Sequence, residues 1–147
     1  DNIIASILET LNENRSVEFK SSIPWSQNIN DLPNNDKAQE IIKTILAMSN
    51  IRDNGRIILG VEKDEQGRYV LKGMKPDDLD TYDQDLIFQQ IRNYGDPEPR
   101  FEILNVEFNS MNFIIFNVRI TVINFTLNKF INFEFCAGIA IIIAPFF

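Results

Sequence analysis

The sequence contains no histidine and one cysteine, Cys136. Without an imidazole, neither a histidine general base nor a His/Cys zinc site can be assembled. A single thiol rules out an intramolecular disulfide, which fits a reducing, cytoplasmic setting. No apolar run reaches the roughly 18 residues of a membrane span, since even the greasy C-terminal end is broken by Asn132, Glu134 and Pro145. The phosphate-cradling G-x-x-x-x-G-K-[ST] pattern is missing: Gly55 and Gly60 have the right separation, but Val61-Glu62 follows them. Serines are present with neither a histidine nor an elbow motif to activate one. No signal-peptide pattern opens the chain, and Asp1-Asn2 reads as an internal start. P-loop hydrolysis, serine hydrolysis and zinc chemistry thus drop out, and carboxylate chemistry or plain binding remains.

What is present suits one globular domain: 147 residues, 44% hydrophobic and 24% charged. The formal charge of −7 opposes polyanions through the overall field, so a nucleic-acid function requires a local positive face. Residues 1–36 carry two basic and six acidic side chains, residues 37–75 eight and five, and residues 76–119 three and nine. Only the middle third is net basic, which points to the turn within Ala47 to Glu62, AMSNIRDNGRIILGVE. There a helix ends, a polar loop follows and a buried strand begins, and such loops are where small folds place function.

In chain order, Ile3, Ile4, Ile7, Leu8 and Leu11 make a helical stripe that Asn12-Glu13-Asn14 ends. Ser16 to Lys20 alternates as a strand, with Val17 and Phe19 on one face and Glu18 and Lys20 on the other. Residues 21–36 form a long polar loop in which Trp25 anchors on the core, and Asp36 with Gln39 reads as a capping box. The helix that follows, to about Asn50, buries Ala38, Ile41, Ile42, Ile45 and Leu46. Arg56 to Glu62 and Arg68 to Leu71 flank a polar, glycine-containing turn and read as a hairpin. Asp77, Asp78 and Asp80 open another helix that Gly95 and Asp96-Pro97-Glu98-Pro99 stop. Phe101 to Phe108 and Phe113 to Ile120 are two further strands. The expected fold is α+β: a single mixed sheet with helices packed on it, in the order α-β-α-β-β-α-β-β, over residues 1–120.

Residues 121–147 are set apart as an atypical hydrophobic tail. From Ile120 onward, 16 of 28 residues are Ile, Phe or Asn, and the only charges are Lys129 and Glu134. That composition matches an out-of-frame reading of AT-rich sequence, so the tail is expected not to be the domain's original continuation; a hydrophobic strand completing the sheet or an oligomer interface is the competing view.

The hard oxygen donors Glu13, Glu18 and Asp53 could gather Mg²⁺ or Mn²⁺ if the loops bring them together, and such a metal could activate water against a phosphodiester. The succession N-E-N-R-S-V-E-F-K, a helix ending A-M-S-N, then N-G-R-I-I-L-G-V-E-K-D-E-Q-G, resembles the Schlafen-type AlbA-like domain, also called the divergent AAA-4 domain. The likeness spans roughly residues 5–120. It implies a nucleic-acid-binding module of the kind found in bacterial proteins described as transcriptional regulators or ATP-binding proteins. In animal Schlafen proteins, related modules cut tRNA or rRNA through three acidic residues; Glu13 and Glu18 match the two spaced glutamates, and Asp53 is the nearest candidate for the third. The turn at Ser49 to Gly55 is two residues longer than the family's and has one glycine fewer.

Three functions follow as expectations. The first is a DNA-binding module of a transcriptional regulator without a cofactor, in which Lys20, Arg52 and Arg56 touch phosphates weakly and salt-dependently. The second is a Mg²⁺- or Mn²⁺-dependent endoribonuclease using Glu13, Glu18 and Asp53, with Lys20 stabilising developing charge. The third is a non-catalytic interaction or homo-oligomerisation domain. Charge counting further expects that swaps at Arg52 and Arg56 abolish binding while swaps at Arg92 and Arg100 do not.

Overall fold

A computed structural model describes residues 2–28, 30–52, 54–121 and 124–125. Among these residues the elements run α1 (Asn2–Thr10), β1 (Val17–Lys20), α2 (Asp36–Met48), β2 (Gly55–Leu59), β3 (Val61–Lys63), β4 (Tyr69–Leu71), α3 (Pro76–Leu79), α4 (Gln84–Ile91), β5 (Gly95–Asp96), β6 (Arg100–Phe108), β7 (Met111–Arg119) and β8 (Asn124–Phe125). Four strands form one mixed sheet in the order β1-β2-β7-β6, with β1 parallel to β2 and the other pairs antiparallel. The class is α+β, as the pattern of elements indicates.

The strand read as one run from Arg56 to Glu62 is broken at Gly60. Its φ is +111°, and a Cβ there would lie 2.8 Å from the Phe113 ring and 3.0 Å from the Gly73 backbone. Only glycine fits. The chain turns, and β3 and β4 pair with each other as a separate hairpin sheet. At the other hairpin, Asn109 and Ser110 adopt φ of 50° and 61°, the left-handed pair that lets a two-residue loop join β6 to β7 without splaying them.

Helix α2 is capped one residue earlier than expected, by Asn35 in place of Asp36. Asn35 is extended, and its side chain accepts a hydrogen bond from the Ala38 N–H at 3.1 Å; Asp36 lies in the first turn, where its charge meets the helix dipole. Gln39 reaches back past the cap and donates to the Leu32 carbonyl at 2.9 Å. The helix expected after Pro76 is two: α3 stops at Leu79, and Asp83 caps α4 by accepting from the Leu86 N–H at 2.8 Å.

Both faces of the sheet are covered. On one side Ile57, Leu59, Ile114, Phe116 and Val118 pack under α2, α4 and Trp25. On the other, Val17, Phe19, Ile58, Phe113 and Ile115 pack against Ile4 and Leu8 of α1 and Val61 of the hairpin. Ile57, Ile58 and Leu59 are each 0% exposed, which explains a continuous apolar run in place of alternation. At about 1.5–3 kcal/mol per buried aliphatic side chain, these three anchor β2 as the centre of the domain.

Trp25 is 2% exposed, and its indole N–H donates to Gln90 Oε1 at 2.6 Å. The anchor expected in the long loop is therefore present, completed by a buried glutamine on α4. In β8, Asn124 and Phe125 pair with Asp96 and Gly95. The expectation of a divergent tail falls mainly on residues 126–147, which lie outside the described residues, as do 122 and 123.

Candidate nucleic-acid interface

Alternation along β1 puts Glu18 and Lys20 on the α2 side of the sheet, opposite Val17 and Phe19, in register with Ile57 and Leu59. Because β1 is an edge strand, the pair sits at the margin of the helix layer and is not covered by it. Glu40 and Thr44, one helical turn apart on α2, face it. The Lys20 ammonium lies 2.9 Å from Glu18 and 3.2 Å from Glu40, and the Thr44 hydroxyl donates to Glu18 Oε2 at 3.2 Å. Partial burial alone would lower the Lys20 pKa, but hydrogen bonds and charge from Glu18 and Glu40 outweigh it, and the net shift is upward. The lysine stays charged, and that charge is already divided between two carboxylates. This cluster opens onto a cavity of about 720 Å³ whose wall also includes Arg15 and Lys43 and whose apolar floor is Ala47, Met48 and Ile51.

Glu13 stands beyond the other margin of β1. Its two carboxylate oxygens accept from the Phe19 N–H at 3.1 Å and from the Tyr69 hydroxyl at 2.6 Å. The first bond occupies a backbone donor on the free edge of β1; the second ties the β3–β4 hairpin to that edge. The hydrogen bond to Glu13, with some burial, pushes the Tyr69 pKa up to about 12. Glu13 and Glu18 line a common surface depression with Tyr69, but their oxygens are committed elsewhere. Among the described residues, no three of His, Cys, Asp and Glu are grouped to hold a metal ion, and Asp53 lies outside them. Each glutamate is held by protein groups, Glu13 by Phe19 and Tyr69 and Glu18 by Lys20 and Thr44.

The central turn is built from a buried helix end. Ser49 and Asn50 are 0% exposed; the Ser49 hydroxyl donates to the Ile45 carbonyl at 2.8 Å, and the Asn50 amide to the Leu46 carbonyl at 3.2 Å. The Thr121 N–H donates to the Ser49 carbonyl at 2.8 Å, so the exit of β7 closes on the same turn. Gly55 is required because a Cβ would come within 2.4 Å of the Met48 sulfur.

Arg52 is exposed at the turn. Arg56 is half-buried, its N–H donating to the Ser16 carbonyl at 2.7 Å. In register with Val17 and Asn117, its side chain lies on the α1 side of the sheet. Lys20 and Arg56 therefore project from opposite faces, and the structure does not gather Lys20, Arg52 and Arg56 into one cluster. Arg56 Nε and Asn117 Oδ1, on cross-strand neighbours, are buried with no hydrogen-bond partner among the described residues.

Glu40, Thr44 and Tyr69 escape a linear reading. Glu40 and Thr44 stand four apart on the polar side of an amphipathic helix, where a solvated surface is the ordinary outcome. Only the β1–α2 packing makes them neighbours of Glu18.

The arrangement is an α+β domain with a mixed-charge cleft at a sheet margin and an arginine-bearing turn beside it. A family model described as Schlafen, AlbA_2 matches residues 13–131, and the chain belongs to that family. Two solved structures are similar. One is the N-terminal domain of a RecG-related protein from Nitrosomonas europaea, 18% identical, with 81% of this chain and 72% of that one covered and a TM-score of 0.49. The other is a crystallised protein from Corynebacterium diphtheriae, 20% identical with a TM-score of 0.49; the match covers 80% of this chain and 21% of that one. No curated protein matches the chain. No helix among the described residues is long and apolar enough to cross a membrane.

Proposed function

We propose that this chain is a nucleic-acid-binding module of a DNA-binding regulatory protein, with phosphate contacts made from the central turn. The observation that carries the reading is the state of the arginines there. Arg52 and Arg56 have no side-chain ion pair or hydrogen bond among the described residues, whereas Lys20 is neutralised by Glu18 and Glu40. An unpaired guanidinium can exchange a counterion for a phosphate without first breaking a protein contact. Family membership supports the same reading, because the resemblance is to modules that handle nucleic acid. Lys20 acts as a brace for the cleft and contributes less to phosphate binding than its charge suggests.

Binding of a labelled oligonucleotide, followed against salt, tests the proposal. With two to four phosphates engaged, log K against log salt falls with a slope of roughly −1.4 to −3.6, at about 0.7 per phosphate for single strands and about 0.9 for duplex. Arg52→Glu with Arg56→Glu abolishes binding. A slope near zero would move the reading to an interaction domain.

A further inference from the structure

Seven arginines occur in the chain. Arg68 pairs with Asp64 and Arg92 with Glu98, and Arg15 has a partner. The remaining four, Arg52, Arg56, Arg100 and Arg119, make no side-chain ion pair or hydrogen bond among the described residues. Strand register brings Arg56, Arg100 and Arg119 to one end of the sheet. Arg100 opens β6 directly opposite Arg119, which closes β7. Two residues inward, Asn117 pairs with Arg56 on one side and with Glu102 on the other. By alternation Arg56, Arg100 and Arg119 share the α1 side of the sheet, and Arg52 lies in the turn that leads into β2 at that end.

Two like charges placed directly opposite on neighbouring strands disfavour the fold, and burial does not account for them, since Arg100 and Arg119 are both exposed. The one carboxylate in the same two rows of this face is Glu102, so the patch of three arginines is net positive in a chain whose net charge is −7. From β2 to β6 the strands span about 10 Å, two inter-strand spacings, and the arginine side chains widen that reach. Arg100 and Arg119 are exposed at the strand ends, and Arg56 is half-buried beside them. At the exposed pair Arg100 and Arg119 a small free anion would meet screened charges, whereas a polyanion gains from several weak contacts at once and from counterion release.

We infer that the nucleic-acid footprint crosses the strand ends, with Arg100 and Arg119 holding backbone phosphates alongside Arg52 and Arg56. The inference rests on the nucleic-acid reading above and extends it to a different part of the sheet. Charge counting alone sets Arg100 outside the site; register puts it inside.

The test is oligonucleotide binding by the whole chain, single-stranded and duplex, between about 50 and 200 mM salt. Arg100→Gln with Arg119→Gln weakens binding about tenfold or more and makes the salt slope shallower by roughly 1.4 to 1.8, the value for two lost phosphates. Arg100→Lys with Arg119→Lys restores the slope, which separates a charge effect from damage to the strand ends. Arg92→Gln, which removes an already paired charge, leaves affinity within about twofold. If the glutamine pair matches wild type while Arg52→Glu with Arg56→Glu loses binding, the extended footprint is wrong and the nucleic-acid reading stands. If Arg92→Gln weakens binding as much as the glutamine pair, the effect is one of net charge and the footprint is again wrong. If the wild-type chain binds neither oligonucleotide, both fail together.

Discussion

Replacing Glu13 separates a structural carboxylate from a chemical one. Its oxygens hold the Phe19 N–H at 3.1 Å and the Tyr69 hydroxyl at 2.6 Å, so Glu13→Ala leaves an edge-strand donor and a hairpin tether without a partner. Hydrogen bonds to a charged group contribute about 1.5–3 kcal/mol when sheltered. Glu13 is exposed, and water replaces part of what is lost, so about 1–2 kcal/mol for both bonds is the reasonable expectation. For a domain of this size that is roughly 4–8 °C in Tm. Glu13→Gln retains an acceptor for Phe19 and presents an amide N–H to the Tyr69 oxygen, and costs about half as much. Tyr69→Phe removes one of the two bonds. A double-mutant cycle of Glu13→Ala with Tyr69→Phe then yields a coupling of about 0.5–1 kcal/mol. Thermal melts of the three variants and the double variant measure it. Melting temperatures unchanged in all of them, together with Mn²⁺-dependent RNA cleavage that disappears in Glu13→Gln, would refute the structural role and restore the nuclease alternative.

Other consequences are open to simpler measurements. Tyr69, with its pKa at about 12, takes up its proton more tightly folded than unfolded, where the value is about 10. Its contribution to stability is therefore complete below pH 10 and is lost as pH rises toward 12; an ultraviolet titration of tyrosinate shows this, and Glu13→Gln brings the midpoint back toward 10. Gln90→Leu leaves the buried Trp25 indole N–H without its acceptor and costs about 1–3 kcal/mol in denaturant unfolding; a loss below about 0.5 kcal/mol would mean that the bond is replaced by another. Gly60→Ala forces a side chain into a φ of +111° against Phe113 and Gly73, so the variant unfolds at lower denaturant by more than the roughly 1 kcal/mol ordinary for a point change. An equal or higher midpoint would show that the β2–β3 break tolerates a side chain.

The parts of the fold legible in the sequence are those written in local spacing. Ile41, Ile42 and Ile45 recur at helical intervals and are each within 1% of full burial, and Val17 and Phe19 alternate against Glu18 and Lys20 as the strand requires. Boundaries are less visible. Ile58-Leu59-Gly60-Val61 reads as one apolar strand because a glycine with φ of +111° looks the same in sequence as a glycine with any other φ. Asn35 competes with Asp36 as a cap because both side chains can accept from a backbone N–H two or three residues ahead. The candidate site is less legible still, since it depends on long-range registration. Lys20 meets Glu40 20 residues away, and Tyr69 meets Glu13 across 56. A window count of charge finds the basic turn but cannot see that Arg56 and Lys20 leave the sheet on opposite faces, nor that Arg100 and Arg119 are cross-strand partners.

These placements bear on what the two margins of the sheet do. A free strand edge invites pairing with another chain, and proteins blunt it with charge or cover. At β1 the cover is Glu13 on the Phe19 N–H, with the hairpin behind it held through Tyr69. At β6, the last strand of the sheet among the described residues, it is charge: Arg100, Glu102 and Glu107 are exposed along the strand. The glutamate that the family likeness offers to catalysis is thus engaged in closing an edge, and the second, Glu18, is engaged in holding Lys20 beside α2. Both are held by protein partners, Glu13 by Phe19 and Tyr69 and Glu18 by Lys20 and Thr44. The unpaired arginines at the strand ends carry no such obligation. Charge left unpaired among the described residues at the strand ends, in an otherwise acidic chain, is the feature with the least structural use, and the proposed contact with a polyanion would draw on it.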